Sequence, residues 1–260
     1  KTFTGVTANQ QITGSAFVVA PTSLQRGSFT LTSGKAGQIL GMPVSVRVLD
    51  KNGKAVPDHP VNFSINGPGF INDSFKYLAV DSDVDGIASV NWTLGTTAGI
   101  ENRMVASSFH QEQELDGSPV TFSVMVMPGV DTLLSVHAGD DQAGFAGQQL
   151  PAPVTVKVTD AYGNPHAGVA VVFQATAGNG HFSGETTRVV FTNAEGLASV
   201  FWTLGNAERE QQSISARLLS HEGTIVYFTA KNSSNIPSEM FYVSGDSTVG
   251  ISAHLLGGFL

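Results

Sequence analysis

The sequence repeats itself at a spacing of 110 residues, and this repeat limits the possible folds more than any other feature of the chain. Residues 37–106 align with residues 147–216 without a gap, and 21 of the 70 aligned positions are identical. The most similar block covers residues 86–95 and returns at residues 196–205. Each copy is therefore predicted to be one folding unit of about 100 residues, long enough to bury a core of its own.

Apolar and polar residues alternate with a period of two inside the repeated blocks, as in strands that have one buried face. The side chains predicted to point inward are Ala88, Val90, Trp92 and Leu94 in the first copy, and Ala198, Val200, Trp202 and Leu204 in the second. No apolar period of 3.6 residues persists anywhere in the chain. Short strands separated by turn signals, such as those at residues 50–53 and 160–163, predict an all-β chain of two sandwiches in tandem.

Weaker internal matches divide the chain further. The tail from residue 245 resembles the opening of the second copy near residue 139, and residues 8–20 resemble the closing hairpin of the first copy. We therefore predict a closing hairpin of a preceding module (residues 1–26), a first module (27–127), a second module (128–236) and the first strand of an incomplete module (237–260). The short linkers at residues 127–130 and 232–237 predict an elongated rod.

The composition excludes several classes of function. The net charge is −8 with no basic cluster, which argues against nucleic acid and anionic membrane surfaces as partners. The chain has no cysteine, so disulfides, zinc–cysteine sites and thiol catalysis are impossible. No run of 18 apolar residues is present, so no membrane insertion is expected.

The repeated residues resemble the bacterial immunoglobulin-like domain of group 1, the type found in invasin and intimin. In the second module the resemblance rests on the runs from Val154 to Pro165, from Gly168 to Phe173 and from Thr192 to Gly205. It implies tandem immunoglobulin-like β-sandwiches in an extracellular or cell-surface protein. It implies no catalytic residues, and such modules serve as stalks, spacers and occasionally binding tips.

One motif has the spacing of a calcium loop. Asp81, Asp83 and Asp85 followed by Gly86 match the opening of such a loop, but the position for a bidentate glutamate holds Trp92. The equivalent stretch of the second module retains only an acidic residue and Gly196, as a hairpin turn requires. We therefore expect a plain turn and no metal site, with calcium binding as the alternative.

No other motif points to chemistry. The histidines show no pair at metal-ligand spacing and are expected on the surface or in loops; they are His59, His110, His137, His166, His181, His221 and His254. Sequence patterns for nucleophilic, metalloprotease and nucleotide sites are absent. Exposed aromatics that could contact a ligand or a neighbouring module are Phe201, Tyr162 and Phe182. No catalytic residue, metal ligand or cofactor is predicted, and the identity of any ligand-binding residue is left open.

The function predicted from the sequence is that of a stalk or spacer in a bacterial cell-surface or secreted adhesin-like protein, which is not an enzyme. Its expected partners are the neighbouring modules of the same chain. Three alternatives stay open: a ligand-binding adhesin module that contacts a host receptor, a filament or phage-type fibre subunit that pairs with another copy by strand addition, and an accessory domain of a secreted hydrolase. The incomplete ends fit strand addition, but a cut through a longer array is the simpler explanation and is preferred.

Overall fold

A computed structural model of the chain describes residues 2–7, 10–15, 19–130, 133–206, 211–220 and 223–233. The described residues form 22 strands and no helix, which confirms the predicted all-β fold. Accordingly, they contain no helix long and apolar enough to cross a membrane. The predicted strand at residues 237–260 lies outside the described residues.

The first module is a sandwich of two sheets. One sheet has three strands in the order β3-β5-β9, and the other has five in the order β4-β14-β11-β6-β8. The strands are β3 (Pro21–Arg26), β4 (Ser33–Lys35), β5 (Val44–Asp50), β6 (Pro60–Ile65), β8 (Tyr77–Asp81), β9 (Ile87–Val90), β11 (Glu101–Ser107) and β14 (Val120–Met127). Short pairs at the rim are β7 (Phe70–Ile71) with β10 (Trp92–Thr93), and β12 (Phe109–His110) with β13 (Gln113–Glu114).

The second module repeats this topology. Its sheets have the orders β15-β17-β20 and β16-β22-β21-β18-β19. The strands are β15 (Leu133–Ala138), β16 (Gln142–Phe145), β17 (Val154–Thr159), β18 (Ala170–Ala177), β19 (Thr187–Phe191), β20 (Leu197–Val200), β21 (Gln211–Leu218) and β22 (Ile225–Ser233). The sequence repeat therefore corresponds to two sandwiches with the same order of strands.

Each sandwich has its own hydrophobic core. The core of the first module surrounds Trp92, Phe63 and Phe122, and the core of the second surrounds Trp202 and Phe173. Trp92 and Trp202 are fully buried, and all eight residues that the alternation placed inward are buried. The predicted inward register is therefore confirmed. Successive side chains of a strand point to opposite faces, and the inward face of each strand lines a core.

The chain before the first module differs from the predicted division. Strands β1 (Thr2–Thr7) and β2 (Gln10–Ser15) form an antiparallel hairpin. Strand β3, which the sequence assigned to the preceding segment 1–26, pairs with β5, and its Leu24 lies in the first core. The sheet of the first module thus begins at Pro21 and not at residue 27. Local patterns could not show this, because the partners of β3 in β5 lie 20 to 29 residues later in the chain.

Candidate functional site

The two modules meet at a junction formed by the loop at residues 95–99, the linker at residues 128–130 and the loop at residues 160–165. Strand β14 ends at Met127 and β15 begins at Leu133, so only a short connection separates the two cores. At this junction, side-chain hydrogen bonds join described residues of the two modules.

Asp160 organises the second module's side of the junction. Its side chain is completely buried, and Oδ1 accepts hydrogen bonds from the backbone N–H groups of Tyr162 (2.9 Å) and Asn164 (2.8 Å). Its Oδ2 accepts one from the backbone N–H of Gly129 and one from the side-chain amide of Asn164, both at 2.7 Å. One carboxylate therefore ties the linker to the loop that follows β17.

These hydrogen bonds decide the charge state of Asp160. Burial by itself would raise the pKa of this carboxyl, because burial penalises the charged form. Hydrogen bonds from the side chain of Asn164 and from the backbone N–H groups of Gly129, Asn164 and Tyr162 outweigh burial, and the pKa lies below its ordinary value of 3.8. The carboxylate is thus ionised at neutral pH and acts only as an acceptor.

Asn164 extends from this carboxylate to the first module. Its side-chain amide donates to the carbonyl of Thr96 at 2.8 Å, and its Oδ1 accepts the backbone N–H of Ala98 at 2.9 Å. Asn164 is buried, so its amide uses both donor and acceptor groups away from water. We call the set Asp160, Asn164, Thr96 and Ala98 the junction clamp.

The first module holds its side of the junction clamp with Asn102. The Oδ1 atom of this buried residue accepts the backbone N–H of Gly95 at 2.7 Å, immediately before Thr96. Gln212 does the same for Gly205 in the second module, with an Oε1 contact of 2.8 Å. A buried amide therefore supports this loop in both modules.

Tyr162 lies beside the junction clamp. Its hydroxyl approaches Gly37 of the first module so closely that a Cβ atom there would overlap it. Together these residues border an open cleft of about 490 Å³ between the modules. The other residues that line the cleft are Lys35, Ala36, Gln38, Gly129, Val130 and Ala161. The sequence had proposed Tyr162 as a contact residue, and its contact is with the neighbouring module.

The first module carries the same loop without the clamp residue. Asp50 Oδ1 accepts the backbone N–H groups of Asn52 and Lys54, both at 2.8 Å, as Asp160 does in its own loop. The position of Asn164 is occupied by Lys54, whose side chain has donors and no acceptor. The sequence identified both loops as turns, and Gly53 and Gly163 in them have a positive φ, at 74° and 82°.

The suspected calcium loop is a turn in the structure. Asp83 Oδ1 accepts the backbone N–H groups of Asp85 and Ile87, both at 2.9 Å. Asn193 makes the equivalent bonds to Glu195 and Leu197 in the second module. The same pair of hydrogen bonds thus closes the turn with an aspartate in the first module and an asparagine in the second. Across the described parts of the chain, no three histidine or acidic side chains lie close enough together to hold a metal ion.

Two of the seven histidines lie side by side, although they are 51 positions apart in the sequence. The ring centroids of His59 and His110 are 6.2 Å apart. Burial and the neighbouring His110 lower the pKa of His59. The two residues are far apart in the sequence and meet only in the folded chain, so no local sequence signal could have revealed this contact.

Of the aromatic residues predicted to be exposed, Phe201 and Phe182 differ in burial. Phe201 is exposed, as predicted. The prediction for Phe182 is wrong: the side chain is fully buried, with its ring centroid 6.4 Å from that of Phe173. The hairpin of residues 181–185 folds over the end of the sandwich, where the backbone N–H of Phe182 pairs with the carbonyl of Glu185. Phe182 thus closes the core and cannot contact a ligand.

Sequence comparison supports the resemblance described above. Residues 134–237 match the family of the bacterial Ig-like domain (group 1), which confirms the resemblance for the second module. No curated protein sequence matches the chain.

Three solved adhesin structures are similar to the chain at low identity. FdeC, an Escherichia coli adhesin, matches with 18% identity and a TM-score of 0.48 over 85% of this chain and 68% of that one. The Yersinia pseudotuberculosis adhesin InvE matches with 17% identity and a TM-score of 0.34 over 85% and 62%. Invasin, a bacterial integrin-binding protein, matches with 17% identity and a TM-score of 0.38 over 82% and 40%. The chain thus spans less than two thirds of the last two structures.

Proposed function

We propose, for a chain whose second module matches the bacterial Ig-like domain, that it is a stalk or spacer segment of a bacterial cell-surface or secreted adhesin-like protein. Its task is to hold another part of that protein at a distance and in a constant direction. The observation that carries the proposal is the junction clamp, in which Asn164 of one module bonds to Thr96 and Ala98 of the other.

The chemistry of the clamp resists bending. Asn164 donates one hydrogen bond across the junction and accepts another. A rotation that lengthens both bonds leaves an N–H and the Oδ1 of this buried side chain without their partners. Each such group costs about 1–3 kcal/mol when it is buried and unpaired. The Asp160 carboxylate also holds Gly129 in the linker, which removes freedom from the few residues that could act as a hinge.

The residues at the junction support a structural role better than a catalytic one. The Asp160 carboxylate accepts hydrogen bonds from its own loop and from the linker. Its pKa is lowered, whereas a carboxyl that acts as general acid or base at neutral pH needs a raised pKa. We infer a non-enzymatic protein that acts outside the cell or on its surface, with its neighbouring modules as partners. A receptor at a distal tip stays part of this proposal.

Distance measurements between the modules test the proposal. The chain has no cysteine, so spin labels at Ser89→Cys in the first module and Gln174→Cys in the second report on the junction alone. Both side chains are exposed strand residues. We expect a narrow distance distribution, and a clearly broader one when Asn164→Ala is added. Small-angle scattering should give an elongated particle roughly 80 Å long, from about 40 Å per sandwich.

The matched control is Lys54→Ala, which changes the equivalent position of the first module and should leave the distance distribution narrow. A distribution equally broad with and without Asn164→Ala would show that the clamp does not stiffen the junction. That result would refute the proposed stalk mechanism.

A further inference from the structure

Asparagine directly precedes glycine at three places in the chain, which are Asn52–Gly53, Asn66–Gly67 and Asn179–Gly180. In such a pair the backbone nitrogen of the glycine can attack the side-chain carbonyl carbon of the asparagine. A glycine favours this attack because it has no side chain to block the approach and its backbone turns easily. The local structure then decides which pair reacts, because the nitrogen must be free and its peptide must be able to turn.

The pair at Asn52 and Gly53 is held by the turn that Asp50 caps. The backbone N–H of Gly53 donates to the carbonyl of Asp50 at 3.0 Å. The carboxylate of Asp50 accepts the N–H groups of the residues on either side of this glycine, Asn52 and Lys54, both at 2.8 Å. The attacking nitrogen is therefore engaged, and its peptide can turn only if these hydrogen bonds break.

The pair at Asn179 and Gly180 is restrained by packing. Gly180 is buried and lies so close to the Trp202 ring that a Cβ atom at this glycine would overlap the ring. A Cβ atom at Gly205 would likewise lie only 2.8 Å from the carbonyl oxygen of Asn179. The peptide between Asn179 and Gly180 therefore has no room to turn toward the asparagine side chain.

The pair at Asn66 and Gly67 has neither restraint. Both residues are exposed, and a Cβ atom at Gly67 would meet no other atom within 4 Å. Within the described residues, neither the side chain of Asn66 nor the backbone N–H of Gly67 has a hydrogen-bond partner. The nitrogen and the carbon that must join are thus both free at this pair.

The ammonium group of Lys76 lies next to this pair. Its Nζ donates to the carbonyl of Gly67 at 2.6 Å and also to the carbonyl of Gly69. A nearby positive charge favours the loss of a proton from the Gly67 nitrogen, and it favours a carboxylate at the preceding residue. The surroundings therefore assist the reaction at Asn66 as well as permit it.

We propose that Asn66 is a site of spontaneous modification, at which the folded chain converts this asparagine to isoaspartate and aspartate. The Gly67 nitrogen loses its proton and bonds to the side-chain carbonyl carbon of Asn66, while the bond from that carbon to the amide nitrogen breaks and ammonia leaves with the proton. One water molecule then opens the five-membered ring. Opening at the backbone carbonyl gives isoaspartate, which adds one CH₂ group to the backbone, and opening at the side-chain carbonyl gives aspartate.

The modified position adjoins the loop that carries one side of the junction clamp. Pro68 packs so closely on Gly95 that a Cβ atom at this glycine would overlap the proline ring. Gly95 immediately precedes Thr96, which accepts the hydrogen bond from Asn164. An extra CH₂ group at position 66 displaces Pro68 against this loop, so the clamp loosens as the chain ages. This consequence rests on the proposed stalk function, whereas the reaction at Asn66 does not.

Peptide mapping of the full folded chain by mass spectrometry tests the site. Cleavage after lysine and arginine places the three pairs on separate peptides. We expect Asn66 to be converted at least about tenfold faster than Asn52 or Asn179, since the loss of one hydrogen bond of ordinary strength slows a reaction by up to about tenfold. In denaturant, which is the matched control, all three should react at similar rates. Equal rates in the folded chain, or a faster reaction at either of the other pairs, would overturn the proposal.

The interspin distance across the junction tests the consequence for the clamp. The aged chain, labelled at positions 89 and 174, should show a broader distance distribution than the fresh chain. Aged Asn66→Gln should stay narrow because its longer side chain closes the ring poorly, and Asn66→Asp should stay narrow because it adds charge without lengthening the backbone. A narrow distribution in a fully converted chain, or a broad one for Asn66→Asp, would overturn the link to the clamp. A fresh chain that is already broad would refute the stalk mechanism instead, so the two failures are distinguishable.

Discussion

Asn164 and Lys54 occupy the same position in the loops of the two modules, four residues after an aspartate that caps each loop. Both donate a backbone N–H to the aspartate at 2.8 Å. Asn164 also bonds to the first module, through Thr96 and Ala98. The Asn164 side chain therefore couples its loop to the first module, whereas the Lys54 side chain at the same position has donors and no acceptor.

The support of the clamp by Asn102 leads to the first prediction. Asn102→Ala removes the acceptor of the buried Gly95 N–H and should destabilise the first module by about 1–3 kcal/mol. Chemical denaturation of the full chain measures this change. Because Thr96 follows Gly95, the interspin distance across the junction should also broaden. A destabilised module with an unchanged distance distribution would show that the clamp does not depend on Asn102.

The low pKa of Asp160 predicts a dependence on pH. The pKa of Asp160 in the folded chain is lower than the ordinary value of 3.8. The charged carboxylate therefore stabilises the fold fully above pH 3.8, and this stabilisation is lost as the pH falls through the folded-state pKa. Asp160→Asn should lower the stability of the second module at pH 7, and the difference from the unmodified chain should shrink below about pH 4. Denaturation curves at several pH values measure it, and a difference that is constant with pH would contradict the assignment.

The two buried tryptophans predict independent effects on the two cores. Trp202→Ala should destabilise the second module by about 3–5 kcal/mol, and Trp92→Ala should do the same in the first, because each removes the largest side chain of its core. The separate cores predict that each substitution shifts only the unfolding transition of its own module. Calorimetry resolves the two transitions, and a change below 1 kcal/mol in either would be inconsistent with complete burial.

The turn at Asp83 predicts that stability is independent of calcium. Asp83 Oδ1 already accepts two backbone N–H groups, and Asn193 does so in the second module without a charge. EDTA should leave the melting temperature unchanged, since only a ligand that binds the native state raises it. Asp83→Asn should be nearly neutral, whereas Asp83→Ala should destabilise the turn. A calcium-dependent rise in melting temperature that Asp83→Asn abolishes would establish a metal site.

Local patterns in the sequence were sufficient to predict the strands, the turns and the inward faces of both sandwiches. The alternation that buries Trp92 and Trp202 is a property of successive residues, because side chains on a strand point to opposite faces in turn. The comparison of the two copies strengthened the prediction, since a position was assigned to the inward face only where both copies have an apolar residue. The burial of Phe182 escaped this reasoning because the residue lies in a short hairpin, where no periodic pattern extends.

The sequence by itself determined two immunoglobulin-like units with separate cores, and its repeat aligns Asn164 with Lys54. Only the tertiary structure decided what this replacement does, because the partners Thr96 and Ala98 lie 68 and 66 residues earlier in the chain. The contact between Pro68 and Gly95 has the same origin. Which loops meet at the end of a sandwich follows from the order in which distant segments pair, and hydrogen bonds between distant segments leave no local pattern in the sequence.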